Sequence, residues 1–265
     1  MLLRNGGPES PSLLNFEITG VDLYWERTLE TPASDEFERK IISQQIKEIG
    51  RRGKFLNFFL SDYHFLLHLR MSGDVLIQPK SEPPGKHHRL SLYFNNGLKF
   101  SFIDPRKFGR AWLVTDPDTI LGNLGPEPFS EEFTPNSLYT ALKSHSRQIK
   151  PLLMDQTFIA GLGNIYTDET LFYAKIHPLT KSDQITEEQS NQLVESIRFV
   201  LAEGIKNNGA SIDWVYRGGD FQNYFQIYGR KGQKCEVCGD VIERITVGQR
   251  STFICPTCQP EPAIN

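Results

Sequence analysis

The four cysteines of the chain form two close pairs, Cys235-x-x-Cys238 and Cys255-x-x-Cys258. Four thiolates in this pattern suit one tetrahedral zinc ion, because each Cys-x-x-Cys can bring both sulfurs to the metal from one tight turn. Residues 239 to 254 separate the pairs. That leaves room for a short hairpin and falls in the range of four-cysteine zinc sites. Two disulfides or four unrelated thiols are the alternatives. A closed shell of four thiolates holds a fold in place and does no chemistry itself, so any chemistry lies in what the hairpin presents. Glu243, Arg244, Gln249, Arg250 and Thr252 lie between the pairs. A rigid turn carrying Arg beside Gln and Thr suits a phosphate, although a solvated hairpin tip would carry the same residues.

Further candidates lie upstream. Basic residues cluster as Arg51-Arg52-Gly53-Lys54, as Arg106-Lys107 with Arg110, and as Arg230-Lys231 with Lys234. The net charge is −3, so the chain as a whole is no polycation, and any nucleic-acid surface has to be a local patch. Acidic residues gather elsewhere, at Glu30, Asp35, Glu36 and Glu38, and such segregation can leave one face positive. Gly161-Leu162-Gly163-Asn164-Ile165-Tyr166, followed by Asp168-Glu169, predicts a turn into a helix whose free amides suit a phosphate. A plain Gly-x-Gly turn reads the same.

These residues have to be carried by a scaffold. At 265 residues, with 38% hydrophobic and 23% charged side chains, the chain has the make-up of a soluble globular protein of two domains. No apolar run is long enough to span a bilayer, and Met1–Gly7 lacks a secretory apolar core. With a thiolate zinc site, this points to the cytoplasm.

The first half reads as β-rich. A strand is expected over Ile18–Trp25, and a short helix over Asp35–Ser43. Phe55–Leu60 and Tyr63–Leu69 form a hairpin pattern about Ser61-Asp62. Leu90, Leu92 and Phe94 alternate with polar residues, Asn95-Asn96-Gly97 turns the chain, and Leu98, Phe100 and Phe102 alternate again. Ala111–Val114 is a further strand, and a sandwich or barrel follows. Residues 117–135, rich in Pro and Gly, read as the connection between domains. The second half reads as helical. Ser137–Ser144 is one candidate. Thr186-Glu187-Glu188-Gln189 is a capping box opening a helix whose apolar face is Leu193, Ile197, Val200, Leu201 and Ile205, ended by Gly209. Asp213–Phe225 reads as a loop.

Several strings in this order resemble the formamidopyrimidine-DNA glycosylase and endonuclease VIII family, the formamidopyrimidine branch more closely. They are Arg51-Arg52-Gly53-Lys54-Phe55, His68-Leu69-Arg70-Met71-Ser72-Gly73, Asp104-Pro105-Arg106-Lys107-Phe108-Gly109, Leu124-Gly125-Pro126-Glu127-Pro128, Ile149 to Asp155, Gly161 to Tyr166, Tyr228-Gly229-Arg230-Lys231-Gly232 and the zinc segment with Arg250. The resemblance implies an α+β chain in five parts: a start at 1–15 outside the pattern, a β-sandwich domain at 16–116, a linker at 117–135, a helix–two-turns–helix domain at 136–225 and a zinc β-hairpin at 226–260. One structural Zn2+ held by Cys235, Cys238, Cys255 and Cys258 is implied. So are damaged double-stranded DNA as partner, a monomeric state and base-excision repair. The implied reaction releases oxidised purines and cuts the strand by β/δ-elimination.

By the same resemblance Met71, Arg106 and Phe108 fill the gap left by a base flipped out of the stack, an extrusion that costs a few kcal/mol. Met and Phe replace stacking and Arg reaches the orphaned base. On residue type alone, Met71 and Phe108 belong in a core. Lys54 resembles the hairpin lysine that meets phosphate and assists elimination, and Arg250 the arginine that grips the phosphate beside the lesion. Lys150 and Asn164 resemble phosphate- or lesion-site contacts, His87 the DNA-contacting histidine, and Glu169 a buried acid of the helical domain.

One part of the family pattern has no counterpart. An N-terminal proline amine attacks the sugar there, with a glutamate beside it. This sequence begins Met1-Leu2-Leu3, and Pro8-Glu9 is internal, so its nitrogen is an amide. Two expectations follow: a glycosylase whose start is altered in this sequence, or a protein that binds damaged DNA without excising a base. A zinc-ribbon interaction protein is a third reading, though it requires neither the Met-Arg-Phe set nor the Gly-Asn-Ile-Tyr string.

Overall fold

The computed structural model describes residues 12–211 and 218–262 and divides the chain into two compact units, Met1–Asn123 and Leu124–Asn265. The sequence expectation for 1–15 falls for the most part outside the described residues.

In the first unit nine strands form two sheets. One contains β1 (Ile18–Leu23), β6 (Asp74–Pro79), β7 (His88–Phe94) and β8 (Leu98–Ile103), in the order β1-β7-β8-β6. The other contains β2 (Leu29–Thr31), β3 (Glu48–Arg52), β4 (Phe55–Phe59), β5 (His64–His68) and β9 (Arg110–Val114), in the order β2-β9-β5-β4-β3. Among the described strands only β2 and β9 pair in parallel. Apolar side chains from both sheets meet in one core: Phe58 and Phe65 from the second, Leu92, Phe100 and Phe102 from the first. Phe58 and Phe100 touch edge to face at 5.3 Å between ring centroids, the contact expected of facing sheets. Helix α1 (Ser34–Ile41) adds Phe37 and Ile41 to this core, and α2 (Asp118–Leu121) lies near the end of the unit.

The alternation in β7 and β8 predicts one wet face, yet Ser91, Lys99 and Ser101 are fully buried. The Lys99 ammonium donates to the carbonyl of Glu82 in the segment after β6, and the Ser91 and Ser101 hydroxyls pair at 3.2 Å. Burial is tolerated because each polar group has a partner.

In the second unit α3 (Pro135–Lys143) opens with a capping box between Thr134 and Ser137 and a proline in its first turn, two residues earlier than expected. Helices α4 (Ile149–Leu153), α5 (Asn164–Tyr173) and α6 (Glu187–Lys206) follow. The Thr186–Gln189 capping box forms as the sequence predicts. Leu193, Val194, Ile197 and Val200 of α6 pack inward, whereas Ile205, expected on the same face, is exposed. Gly204 takes the close contact near that end: a Cβ there would lie 2.5 Å from the Tyr166 ring.

The residues read as a linker, 117–135, divide at the unit boundary. Phe133 is in the core of the second unit, and the Arg198 guanidinium gathers the carbonyls of Pro128, Ser130 and Phe133. Prolines and glycines give this segment its loop composition, and Arg198 supplies the partners that fix it. Strands β10 (Glu243–Val247) and β11 (Arg250–Ile254) form the C-terminal hairpin.

Candidate nucleic-acid interface and zinc centre

In the first unit the register of the second sheet places Phe55, His68 and Arg110 side by side. Three turns therefore emerge from one end of the sheet: Gly53-Lys54 between β3 and β4, Leu69–Gly73 after β5, and Pro105–Gly109 before β9. Lys54 is exposed at its two-residue tip, where Gly53 takes a φ of +54°. His68 packs edge-on against Phe55 at 4.7 Å, and its Nδ1 accepts the Arg70 amide. Burial, followed by the charges of Arg70 and Lys54, lowers the His68 pKa from 6.5 to about 4, so the ring is neutral at pH 7.

Met71 is 64% exposed and Phe108 46% exposed. Residue type alone puts both in a core; the structure puts both in solvent, with the Arg106 guanidinium 5.0 Å from the Phe108 ring centre. What holds them is a fully buried carboxylate. Asp104 accepts the Ser72 hydroxyl and the Arg106 amide (3.1 Å) on one oxygen, and the amides of Phe108 (2.6 Å) and Gly109 (2.7 Å) on the other. One side chain thus ties the Met71 turn to the Arg106–Phe108 turn. Gly109 is needed for the fit, since a Cβ there would come within 2.2 Å of the Phe102 ring. His87 lies next to this hub, its carbonyl accepting the Asp104 amide at 2.9 Å. His88 turns inward and is buried, bonding Gly85 through Nδ1. Of the two adjacent histidines, His87 is the less buried.

In the second unit Arg250 is exposed at the start of β11, after a Gly248-Gln249 turn in which both residues have positive φ, +54° and +62°. The turn rests on α4: a Cβ on Gly248 would lie 3.1 Å from Pro151. Lys150 is fully buried. Its ammonium is 2.6 Å from Asp168 Oδ1 and donates to Thr252 Oγ1 (2.7 Å) and the Ser251 carbonyl (3.1 Å). Asn164, the first residue of α5, donates Nδ2 to the same carbonyl, and its Oδ1 is buried without a hydrogen-bond partner. Burial raises the Asp168 pKa to about 6 and lowers that of Lys150; the Lys150–Asp168 attraction opposes both shifts, and the Arg250 charge adds to the lysine's. Glu169 is buried as expected, and its carboxylate accepts the amides of Gln226, Ile227 and Tyr228, fixing the approach to the cysteines.

The four cysteine sulfurs all lie within 4.8 Å of one another, with Cys235–Cys258 at 3.9 Å and Cys238–Cys255 at 3.4 Å. Zn–S bonds of about 2.3 Å in a tetrahedron set sulfurs roughly 3.8 Å apart, so the donor set fits one zinc ion. Cys235 and Cys255 pack with Phe172, Ile227 and Ile242, which anchors the site to α5.

Three family models match in order: the formamidopyrimidine-DNA glycosylase N-terminal domain over residues 9–111, its H2TH domain over 124–215, and a zinc finger found in FPG and IleRS over 232–260. A formamidopyrimidine-DNA glycosylase of Pelotomaculum thermopropionicum is 41% identical over 256 residues, 93% of each chain. That of Chloroflexus aurantiacus is 42% identical over 258 residues, covering 94% of this chain and 92% of the relative. The chain belongs to the formamidopyrimidine-DNA glycosylase family. Solved structures agree. The Lactococcus lactis Fpg in complex with abasic-site DNA matches with a TM-score of 0.88 at 34% identity, and MutM in complex with DNA containing carbocyclic 8-oxo-G with 0.88 at 35%; each match covers 94% of both chains.

As in the family's zinc-finger module, Cys235, Cys238, Cys255 and Cys258 make one structural zinc site. The likeness spans all three regions of this Fpg-family chain and is not confined to the cysteine element. No helix among the described residues is long and apolar enough to cross a membrane. Of the residues singled out from sequence, Met71, Arg106 and Phe108 come together, with Lys54 at the same end of the sheet. Lys150, Asn164 and Arg250 come together in the second unit. Sequence reasoning assigns no role to Asp104 or Asp168, and reads Thr252 only as part of a turn suited to phosphate, not as a partner of Lys150. Their signal in the sequence is position, since each lies within four residues of an assigned one, but a buried hub is visible only in three dimensions.

Proposed function

We propose that the protein is a base-excision-repair DNA glycosylase that releases oxidised purines from duplex DNA and cleaves the strand by elimination. The observation that carries this reading is the exposure of Met71 and Phe108. Two large apolar side chains held in solvent beside Arg106 suit a probe that enters the stack where a base has left it. Family membership supports the substrate class. The relatives are formamidopyrimidine-DNA glycosylases, and the solved neighbours include complexes with abasic-site and 8-oxo-G DNA.

In this reading Lys54, His87 and Arg250 meet the DNA backbone, and Asn164 presents the N-terminus of α5 to it. Zinc, when bound, supplies the rigidity that fixes the Arg250 hairpin. Excision needs an amine nucleophile that becomes an iminium and an acid–base partner. Neither role is assigned to a residue of this sequence. The reducing chemistry that keeps thiolates on zinc supports a cytoplasmic location.

Borohydride trapping on a duplex with one oxidised purine is the test. A covalent protein–DNA band, with the chain as given or after a Pro-Glu start is restored, is the expected result. No band from either, with binding retained, would leave a damaged-DNA-binding protein and overturn the enzyme reading.

A further inference from the structure

Lys150 resembles a DNA contact by its place in the sequence, but its ammonium is buried and held by partners inside the second unit. Asp168 Oδ1, Thr252 Oγ1 and the Ser251 carbonyl stand at 2.6, 2.7 and 3.1 Å, and the side chain is fully buried. All three partners lie inside the second unit, and two belong to the strand that begins with Arg250.

We propose that Lys150, paired with Asp168, is a positioning residue that acts through Arg250, clamping residues 250–253 so that the guanidinium is held ready for phosphate; the proposal rests on the DNA-binding reading of Arg250. Four observations support the clamp. Thr252 Oγ1 accepts from Lys150 and donates to the Arg250 carbonyl at 3.1 Å, so the lysine is one hydroxyl away from the Arg250 backbone. Asp168 Oδ2 accepts the Phe253 amide at 3.1 Å, fixing the strand beyond that hydroxyl. Asn164 supplies a second donor to the Ser251 carbonyl at 3.1 Å. On the outer side the Arg244 guanidinium binds the Ser251 hydroxyl at 2.6 Å. A strand held at four consecutive residues has little freedom to reorient its first side chain. Preorganisation of this kind lowers the ordering cost that a flexible arginine meets on binding.

The test is binding to a duplex carrying a tetrahydrofuran abasic-site analogue, titrated with salt well below the melting temperature, with zinc content measured for each variant. Arg250→Ala should weaken binding on the order of tenfold and reduce the salt slope by about one. Lys150→Met should weaken binding by a similar factor and add nothing in the Arg250→Ala background, because it acts through that residue. The neutral pair Lys150→Gln with Asp168→Asn keeps hydrogen-bonding groups for the strand but no cation, and should bind within about threefold of wild type. A purely structural lysine would change melting and leave binding of the folded protein intact.

Unchanged binding by Lys150→Met alongside a weakened Arg250→Ala overturns the proposal alone. So does a further loss of slope when Lys150→Met is added to Arg250→Ala, which would mean direct phosphate contact. An Arg250→Ala indistinguishable from wild type overturns the reading of Arg250 and the proposal with it. If Lys150→Met does not fold, the neutral pair decides: near-wild-type binding supports positioning, and a tenfold loss overturns it.

Discussion

Asp104→Ala removes the acceptor shared by three amides and a hydroxyl, and its cost can be worked from those bonds. The Gly109 amide and the Ser72 hydroxyl belong to buried residues, so each loses its partner in a place water does not reach. An orphaned buried donor costs about 1–3 kcal/mol. The amides of Arg106 and Phe108 belong to exposed residues and regain part of their bonding from water, at roughly 0.5–1 kcal/mol each. The sum is about 3–8 kcal/mol, a large part of the 5–15 kcal/mol typical of a domain. Asp104→Asn keeps one acceptor oxygen and turns an NH2 group toward donors, so about half that loss is expected.

Urea unfolding measures the global part of this loss, and hydrogen exchange at the Phe108 and Gly109 amides the local part. If the turns melt locally, exchange there should quicken at least a hundredfold, since each 1.4 kcal/mol is a factor of ten. Binding to the abasic-analogue duplex should fall with Asp104→Ala by about as much as with Phe108→Ala, because both remove the proposed probe. A change in unfolding free energy below about 0.5 kcal/mol, with protection at both amides unaltered, would refute the claim that this carboxylate holds the probe together.

Three further predictions concern single features. Met71→Ala should leave the melting temperature nearly unchanged, since the side chain is 64% exposed, while weakening binding to the abasic-analogue duplex on the order of tenfold. His68 has a folded-state pKa of about 4, below the unfolded 6.5, so its contribution is full above pH 6.5 and is lost as pH falls through about 4. That interval corresponds to roughly 3 kcal/mol at 1.36 kcal/mol per pH unit; with part of the ring in solvent about 2 kcal/mol is expected, and His68→Gln should flatten the stability profile in that window by this amount. Metal analysis should find one zinc per chain, and its removal by a chelator should abolish the Arg250-dependent part of DNA binding, because Cys235 and Cys255 sit in the same small core as Phe172 and Ile227.

Elements with a local signal were legible in the sequence. The Asn-Asn-Gly turn between β7 and β8, the Thr186 capping box, the Gly-Leu-Gly turn into α5 and the zinc hairpin are each specified by a few adjacent residues. Strands β3 and β6 carried no such signal. Glu-Ile-Gly-Arg-Arg is too charged to read as a strand, and β3 forms because it has a partner in β4. Strand β6 ends in Pro79 and lies at the edge of its sheet, where a missing amide is tolerated. The site was legible as a set of residue types, but Met71 and Phe108 required geometry. Nothing local says that a methionine will stand in solvent; that follows from Asp104, thirty-three residues along the chain from Met71. Lys150 shows the converse, since a lysine suited by type to a phosphate is enclosed by Asp168 and Thr252.

The buried acids also explain how a chain of net charge −3 can present basic tips. Asp104, Asp168 and Glu169 are all buried, and each accepts backbone amides of a segment that carries an exposed or functional residue: 106–109, 253 and 226–228. A surface carboxylate beside Arg106 or Arg250 could anchor the same turn, but it would also neutralise the guanidinium that we propose meets DNA. Placed inside and bonded to amides, the carboxylate anchors the turn without forming an ion pair with the exposed arginine. Burial makes ionisation costly, as the raised pKa values of Asp168 and Glu169 show, and the amides, together with Lys150 at Asp168, offset that cost. Net charge therefore says little about binding in this fold; what matters is that these three acids face inward while Lys54, Arg106 and Arg250 do not.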